Sequence, residues 1–135
     1  MAAPGSYVLI LTIAEPTAIE VGALGTIEFD AGGYAYAGSA FGSGGLRRVE
    51  RHRSLAVGDR TVQHWHIDYL LTHEQTTLYE TVQYPHRDLE CALSERLPGH
   101  RVAQFGASDC HCDSHLVWNE DVQSLSSGAI ELIEK

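Results

Sequence analysis

The sequence predicts one α/β or α+β domain: a small antiparallel or mixed β-sheet flanked by three or more helices. Three observations carry this. The chain has 135 residues, one domain's worth, with 44% hydrophobic content, enough for a core that needs no disulfide or structural metal. The apolar pattern switches between strand and helix periods in the order strands, helix, helix, strand, helix, which suits a sheet covered by helices. No apolar run approaches the length of a membrane span.

The elements follow in order. Residues 6–13, "SYVLILTI", are rich in β-branched and long apolar side chains and predict a central strand. Glu15 follows the run and no positive charge precedes it, so it reads as a buried strand and not a signal peptide. "TAIEV" and "GTIEFDAGG" predict a hairpin around Gly22 and Gly25. "YAYAGSA" predicts a strand beside the first, broken by Gly42, Gly44 and Gly45. "LRRVERHRS" predicts a short helix, 59–63 a loop, and "HWHIDYLLTH" a second helix. "TTLYETVQY" predicts a strand ended by Pro85, "RDLECALSERL" a third helix, and Pro98 to Ser108 a loop. "HLVWN" predicts a short strand and "EDVQSLSSGAIELIEK" a weak terminal helix, since Gly128 and its serines disfavour one.

Charge is unevenly spread. The net charge is −9, lysine occurs once, at Lys135, and four of the eight arginines stand at 47, 48, 51 and 53. The whole chain repels polyanions while one patch attracts them. An acidic, lysine-poor surface also suits a high-salt cytoplasm. Three cysteines, an odd and low count, point to a reducing cytosol. The composition excludes Schiff-base chemistry at an internal lysine. "FGSGGLRR" lacks the ending of a P-loop, and there is no G-x-S-x-G elbow.

Four groups of residues are candidates for chemistry. On the first helix, at about 100° per residue, Leu46 and Val49 point inward, while Arg48 and His52 share a different face and Arg47 and Arg51 the next. Forked guanidinium groups suit phosphate oxygens; the alternative is a solvated basic face balancing nearby carboxylates. On the third helix, Leu89, Leu93 and Leu97 form an apolar seam, with Glu90 at its border and Glu95 and Asp88 opposite. An enclosed carboxylate needs a partner or a metal, and one carboxylate completed by waters and a phosphate suits Mg²⁺; the alternative is a glutamate that merely covers the core edge. On the second helix, His64 and Asp68 are one turn apart, a spacing that lets a carboxylate orient an imidazole. In "SDCHCDSH", Cys110, Cys112 and His115 offer soft ligands for zinc, but the C-x-C spacing is irregular and a fourth ligand must come from afar. A plain loop with partly buried thiols is the favoured reading there.

Taken together, these residues resemble the GIY-YIG nuclease superfamily. "GSY" (Gly5 to Tyr7) and "YAG" (Tyr36 to Gly38) resemble its paired tripeptides, with Ser6 and Ala37 in place of isoleucines at packing positions. Arg48 and His52 in "RRVERH" match its helix arginine and the histidine four residues on. His64 matches a downstream histidine, and Glu90 in "DLECAL" the metal-binding glutamate. "LGTIEFDAGGYAYAGSAFG", "HWHIDYLL" and "FGASDCHCDSHL" together resemble the Uri-type branch over nearly the whole chain, 1–135. Asn119, the sole asparagine, does not match the superfamily's late asparagine.

The cysteine count implies the cytoplasm, and the resemblance implies metal-dependent hydrolysis of a DNA phosphodiester. It implies Tyr7, Tyr36, Arg48, His52, His64 and Glu90 as catalytic residues, one Mg²⁺ or Mn²⁺ on Glu90, and Arg48 on the phosphoryl oxygens. Arg47, Arg51, Arg53, Gly38 and Ser39 would contact the nucleic-acid backbone, the glycines giving it close approach. Two other readings accompany it: a non-catalytic nucleic-acid-binding module on the same scaffold, and a zinc-stabilised interaction domain built on the cysteine loop.

Overall fold

A computed structural model describes residues 3–41, 45–58, 66–102 and 115–133. The fold is α+β. A five-stranded antiparallel sheet is formed by β1 (Gly5–Ile13), β4 (Gly32–Ala40), β5 (Thr76–Pro85), β6 (His100–Arg101) and β7 (Leu116–Asn119), in the order β5-β1-β4-β7-β6. A separate hairpin pairs β2 (Thr17–Glu20) with β3 (Thr26–Phe29).

β1 sits inside the sheet with helices over both faces, which is why its sequence is almost continuously apolar. Its side chains alternate between the two cores. Tyr7, Leu9, Leu11 and Ile13 join Tyr34 and Tyr36 of β4 on the face covered by α1 (Arg47–Ala56), α2 (His66–Leu71) and the hairpin. Val8 and Ile10 join Ala35 and Ala37 under α3 (Glu90–Arg96) and α4 (Val122–Ile133), which contribute Leu93, Leu125 and Ala129.

Three elements depart from expectation. α3 starts at Glu90 rather than Arg87 because Ser6 holds the preceding residues: its Oγ donates to the Arg87 carbonyl (2.8 Å) and accepts from the Leu89 amide (2.8 Å). Ser6 is therefore a buried polar clamp and not the apolar packing position that the tripeptide suggested. β6 lies in a stretch expected to be loop; two residues pairing with Val117 and Trp118 carry no periodic signal. α4 forms despite Gly128, helped by the Tyr84 hydroxyl on β5, which donates to the Ala129 carbonyl (2.6 Å). The expected loop at 59–63 lies outside the described residues.

Candidate active site

The two tripeptides meet as neighbours. β1 and β4 pair so that Tyr7 faces Gly38 and Leu9 faces Tyr36. Tyr7 and Tyr36 thus stand diagonally on one face, where Cβ atoms are typically about 7–8 Å apart. A Cβ at residue 38 would run into Cζ, Oη and Cε2 of Tyr7. Glycine at this position makes room for the tyrosine ring, a role within the fold distinct from the backbone contact proposed for it above.

Tyr7 is buried and its hydroxyl lies 2.9 Å from Nε2 of His52 on α1. The rings are 5.4 Å apart, centre to centre. The buried Tyr34 and Tyr84 end instead on the carbonyls of Asp30 and Ala129, and burial pushes both phenols up. Tyr7 is paired with an imidazole nitrogen instead of a carbonyl.

His52 itself corrects the helical wheel. Leu46, Val49, His52 and Leu55 are all buried, so His52 belongs to the inward stripe rather than to a polar face shared with Arg48. Each three-residue step turns the stripe back by about 60°, so a seam centred on Leu46 and Val49 has swung to His52 two turns on. Burial lowers the His52 pKa to about 4; Arg51 and Arg48 push the same way and Asp68 opposes them. The imidazole is neutral at pH 7.

The arginines divide by partner. Arg48 is half-buried and its guanidinium donates to the Ser39 carbonyl (2.6 Å), which ties it to the strand end beside Gly38. Ser39 thereby acts through its backbone oxygen as an anchor for the arginine. Arg51 forms a fork with Asp68 of α2, Nη1 to Oδ1 at 3.0 Å and Nη2 to Oδ2 at 2.9 Å. Asp68 is completely buried, and Oδ1 is 3.9 Å from His52 Nδ1. Arg53 binds Glu50 and the Thr81 hydroxyl (2.7 Å) on β5. Only Arg47 of the four is both exposed and clear of these intramolecular bonds as described. A phosphate contact by Arg51 or Arg53 would compete with these carboxylates.

Glu90 opens α3, and the Ser6 clamp fixes the backbone just before it to the strand residue preceding Tyr7. The side chain of Glu90 lies outside what is described. His64, Cys110 and Cys112 also lie outside the described residues. His115 is buried at the start of β7, and its carbonyl accepts the Ala37 amide (2.9 Å), next to Tyr36. Among the described residues no group of three His, Cys, Asp or Glu side chains could hold a metal. A hard cation carried by one carboxylate, with water and phosphate oxygens completing its shell, needs no such group.

Sequence reasoning missed two residues. The pairing of Asp68 with His64 lies outside the described residues; among those described, Asp68 meets Arg51 and His52, which helical spacing does not predict. Ser6, at a packing position of the tripeptide, is a buried hydrogen-bonding residue. A serine inside an otherwise apolar strand, and an aspartate inside "HIDYLL", were the available signals: buried polar groups require partners.

The described site is thus an antiparallel sheet carrying a buried Tyr–His pair, with an arginine anchored at the neighbouring strand end. The chain belongs to the family described as Domain of unknown function DUF123, whose model matches residues 6–135. Comparison with curated proteins and with solved structures finds no match. The family description names no activity, so the GIY-YIG resemblance rests on the residues themselves.

Proposed function

We propose that this chain is a metal-dependent endonuclease that hydrolyses phosphodiester bonds in DNA. The single observation that carries the reading is the buried hydrogen bond between Tyr7 and His52, beside a strand end that anchors Arg48. A phenol has an ordinary pKa near 10, so a tyrosine acting as general base must pass its proton to an acceptor. A neutral imidazole stands 2.9 Å away and serves as that acceptor when its Nε2 carries the lone pair. Tyr7 then takes a proton from the attacking water, and Arg48 stabilises charge on the phosphoryl oxygens. The phenol is nearly closed off from bulk water, so the attacking water enters with the substrate.

Glu90 would hold one Mg²⁺ or Mn²⁺, which when bound polarises the phosphate and steadies the leaving oxygen. Tyr36, diagonal to Tyr7 on one face of the sheet, would help position the strand, whereas His115 pairs with Ala37, whose side chain belongs to the other face. Arg47 would add a phosphate contact from the exposed side of α1. No helix among the described residues is long and apolar enough to cross a membrane, and the three cysteines favour a cytosolic setting.

The test is a cleavage screen over single-stranded, duplex and branched DNA with Mg²⁺ or Mn²⁺, each with an EDTA control. EDTA-sensitive cleavage that is lost in Tyr7→Phe is the expected result. Substrate binding without cleavage under every condition would instead establish a binding module.

A further inference from the structure

The neutral His52 ring carries one proton, on either Nδ1 or Nε2. The choice decides what Tyr7 can do. With the proton on Nε2, the Tyr7 oxygen accepts a hydrogen bond and the imidazole cannot take the phenolic proton. With the proton on Nδ1, Nε2 is the acceptor and the phenol donates. Among the described residues, the charged groups acting on the ring are Asp68 on α2 and Arg48 and Arg51 on α1, and Tyr7 on β1 meets it directly. Of these, Asp68 places its Oδ1 3.9 Å from Nδ1. Arg51 grips both Asp68 oxygens, so the carboxylate cannot rotate away.

We infer that Asp68 is a positioning residue: its carboxylate holds the His52 proton on Nδ1 and so makes Nε2 the acceptor for the Tyr7 proton. This rests on Tyr7 being the general base. The separation is too long for a good hydrogen bond, so the preference is electrostatic. An N–H pointing toward a buried carboxylate is favoured, and a lone pair pointing toward it is opposed, across a gap that water screens poorly. The proton path then runs in balance: the attacking water's proton goes to Tyr7, and the Tyr7 proton goes to His52 Nε2. The resulting imidazolium carries protons on both nitrogens; Asp68 favours it, against burial and the charges of Arg51 and Arg48.

The test reads the tautomer directly. Long-range ¹H–¹⁵N NMR of ring-labelled protein should show His52 with its proton on Nδ1. Asp68→Asn keeps size and one hydrogen bond to Arg51 but removes the charge; it should move the proton to Nε2. The same change should lower kcat by roughly 10²–10⁴-fold, the range of a general acid–base contribution, with KM little changed. Arg51→Gln keeps the carboxylate but releases its two oxygens, so the preference for Nδ1 should weaken. A wild-type ring protonated on Nε2 overturns the inference, as does an Asp68→Asn protein that keeps the Nδ1 proton. The wild-type spectrum is decisive even where Asp68→Asn does not fold. Because the tautomer is read without substrate, a protein that cleaves nothing but shows the expected tautomers would sink the nuclease reading and leave the assignment of Asp68 standing.

Discussion

Tyr7 occupies the space that a side chain at Gly38 would fill. The two residues face each other across β1 and β4, and a Cβ on Gly38 would overlap the end of the tyrosine ring. The second tripeptide thus ends in glycine because the first ends in tyrosine.

Gly38→Ala should therefore push Tyr7 off His52. Overpacking of this kind costs about 1–3 kcal/mol, visible as a lower urea midpoint at unchanged m. Cleavage should fall further than stability does, since the Tyr7–His52 bond is lost. A variant with a wild-type midpoint and wild-type cleavage would contradict the packing argument.

Arg48→Ala should remove most cleavage and leave the fold in place. Arg48 is half-buried and bonded to a strand-end carbonyl; losing one preorganised donor to a developing charge costs roughly 2.7–4 kcal/mol of transition-state stabilisation. Arg47→Ala, on the exposed side, should leave kcat near normal and weaken the salt dependence of DNA binding. Single-turnover rates and binding at two salt concentrations separate the two. A larger kcat loss in Arg47→Ala would exchange their roles.

Glu90→Gln should abolish cleavage and Mn²⁺ binding together, while Glu95→Gln, at an exposed position, should do neither. Calorimetric titration with Mn²⁺ checks the binding half. EDTA should stop cleavage and barely shift the melting temperature, because a catalytic ion on one carboxylate contributes little to folding. A sharp chelator-induced drop in melting temperature, with stoichiometric zinc that disappears in Cys112→Ser, would mean that the cysteine loop is a structural zinc site.

Stability should depend on pH through His52. Its folded pKa, lowered to about 4 by burial, lies below the ordinary value near 6.5. Between those values the unfolded chain binds a proton that the folded chain excludes, so stability falls as pH drops from about 6.5 toward 4 and this contribution levels off below. The full effect is on the order of 3 kcal/mol. Denaturant midpoints between pH 7.5 and 4 should show His52→Gln with a shallower slope than wild type. Parallel slopes would show that His52 titrates normally.

Much of the architecture was legible in the chain. "SYVLILTI" announced a strand covered on both faces, because alternate side chains enter two cores and neither set can be polar. "GSY", "YAG" and "RRVERH" announced which residues would gather, because spacing along strands and one helix carries over into space. What spacing could not supply was direction across elements. The wheel of α1 has a buried stripe that drifts, and only packing against β1 and α2 decided that His52 turns inward to meet Tyr7. Asp68 lies 17 residues from Arg51, and nothing local marks the two as partners. Ser6 lies more than 80 residues from the carbonyl and amide it clamps. Local sequence determined the strands, the helices and the cast of candidate residues. Long-range packing decided which polar atoms are taken out of water together, and the cost of burying any of them unpaired is what selected the Tyr7–His52 and Arg51–Asp68 pairs.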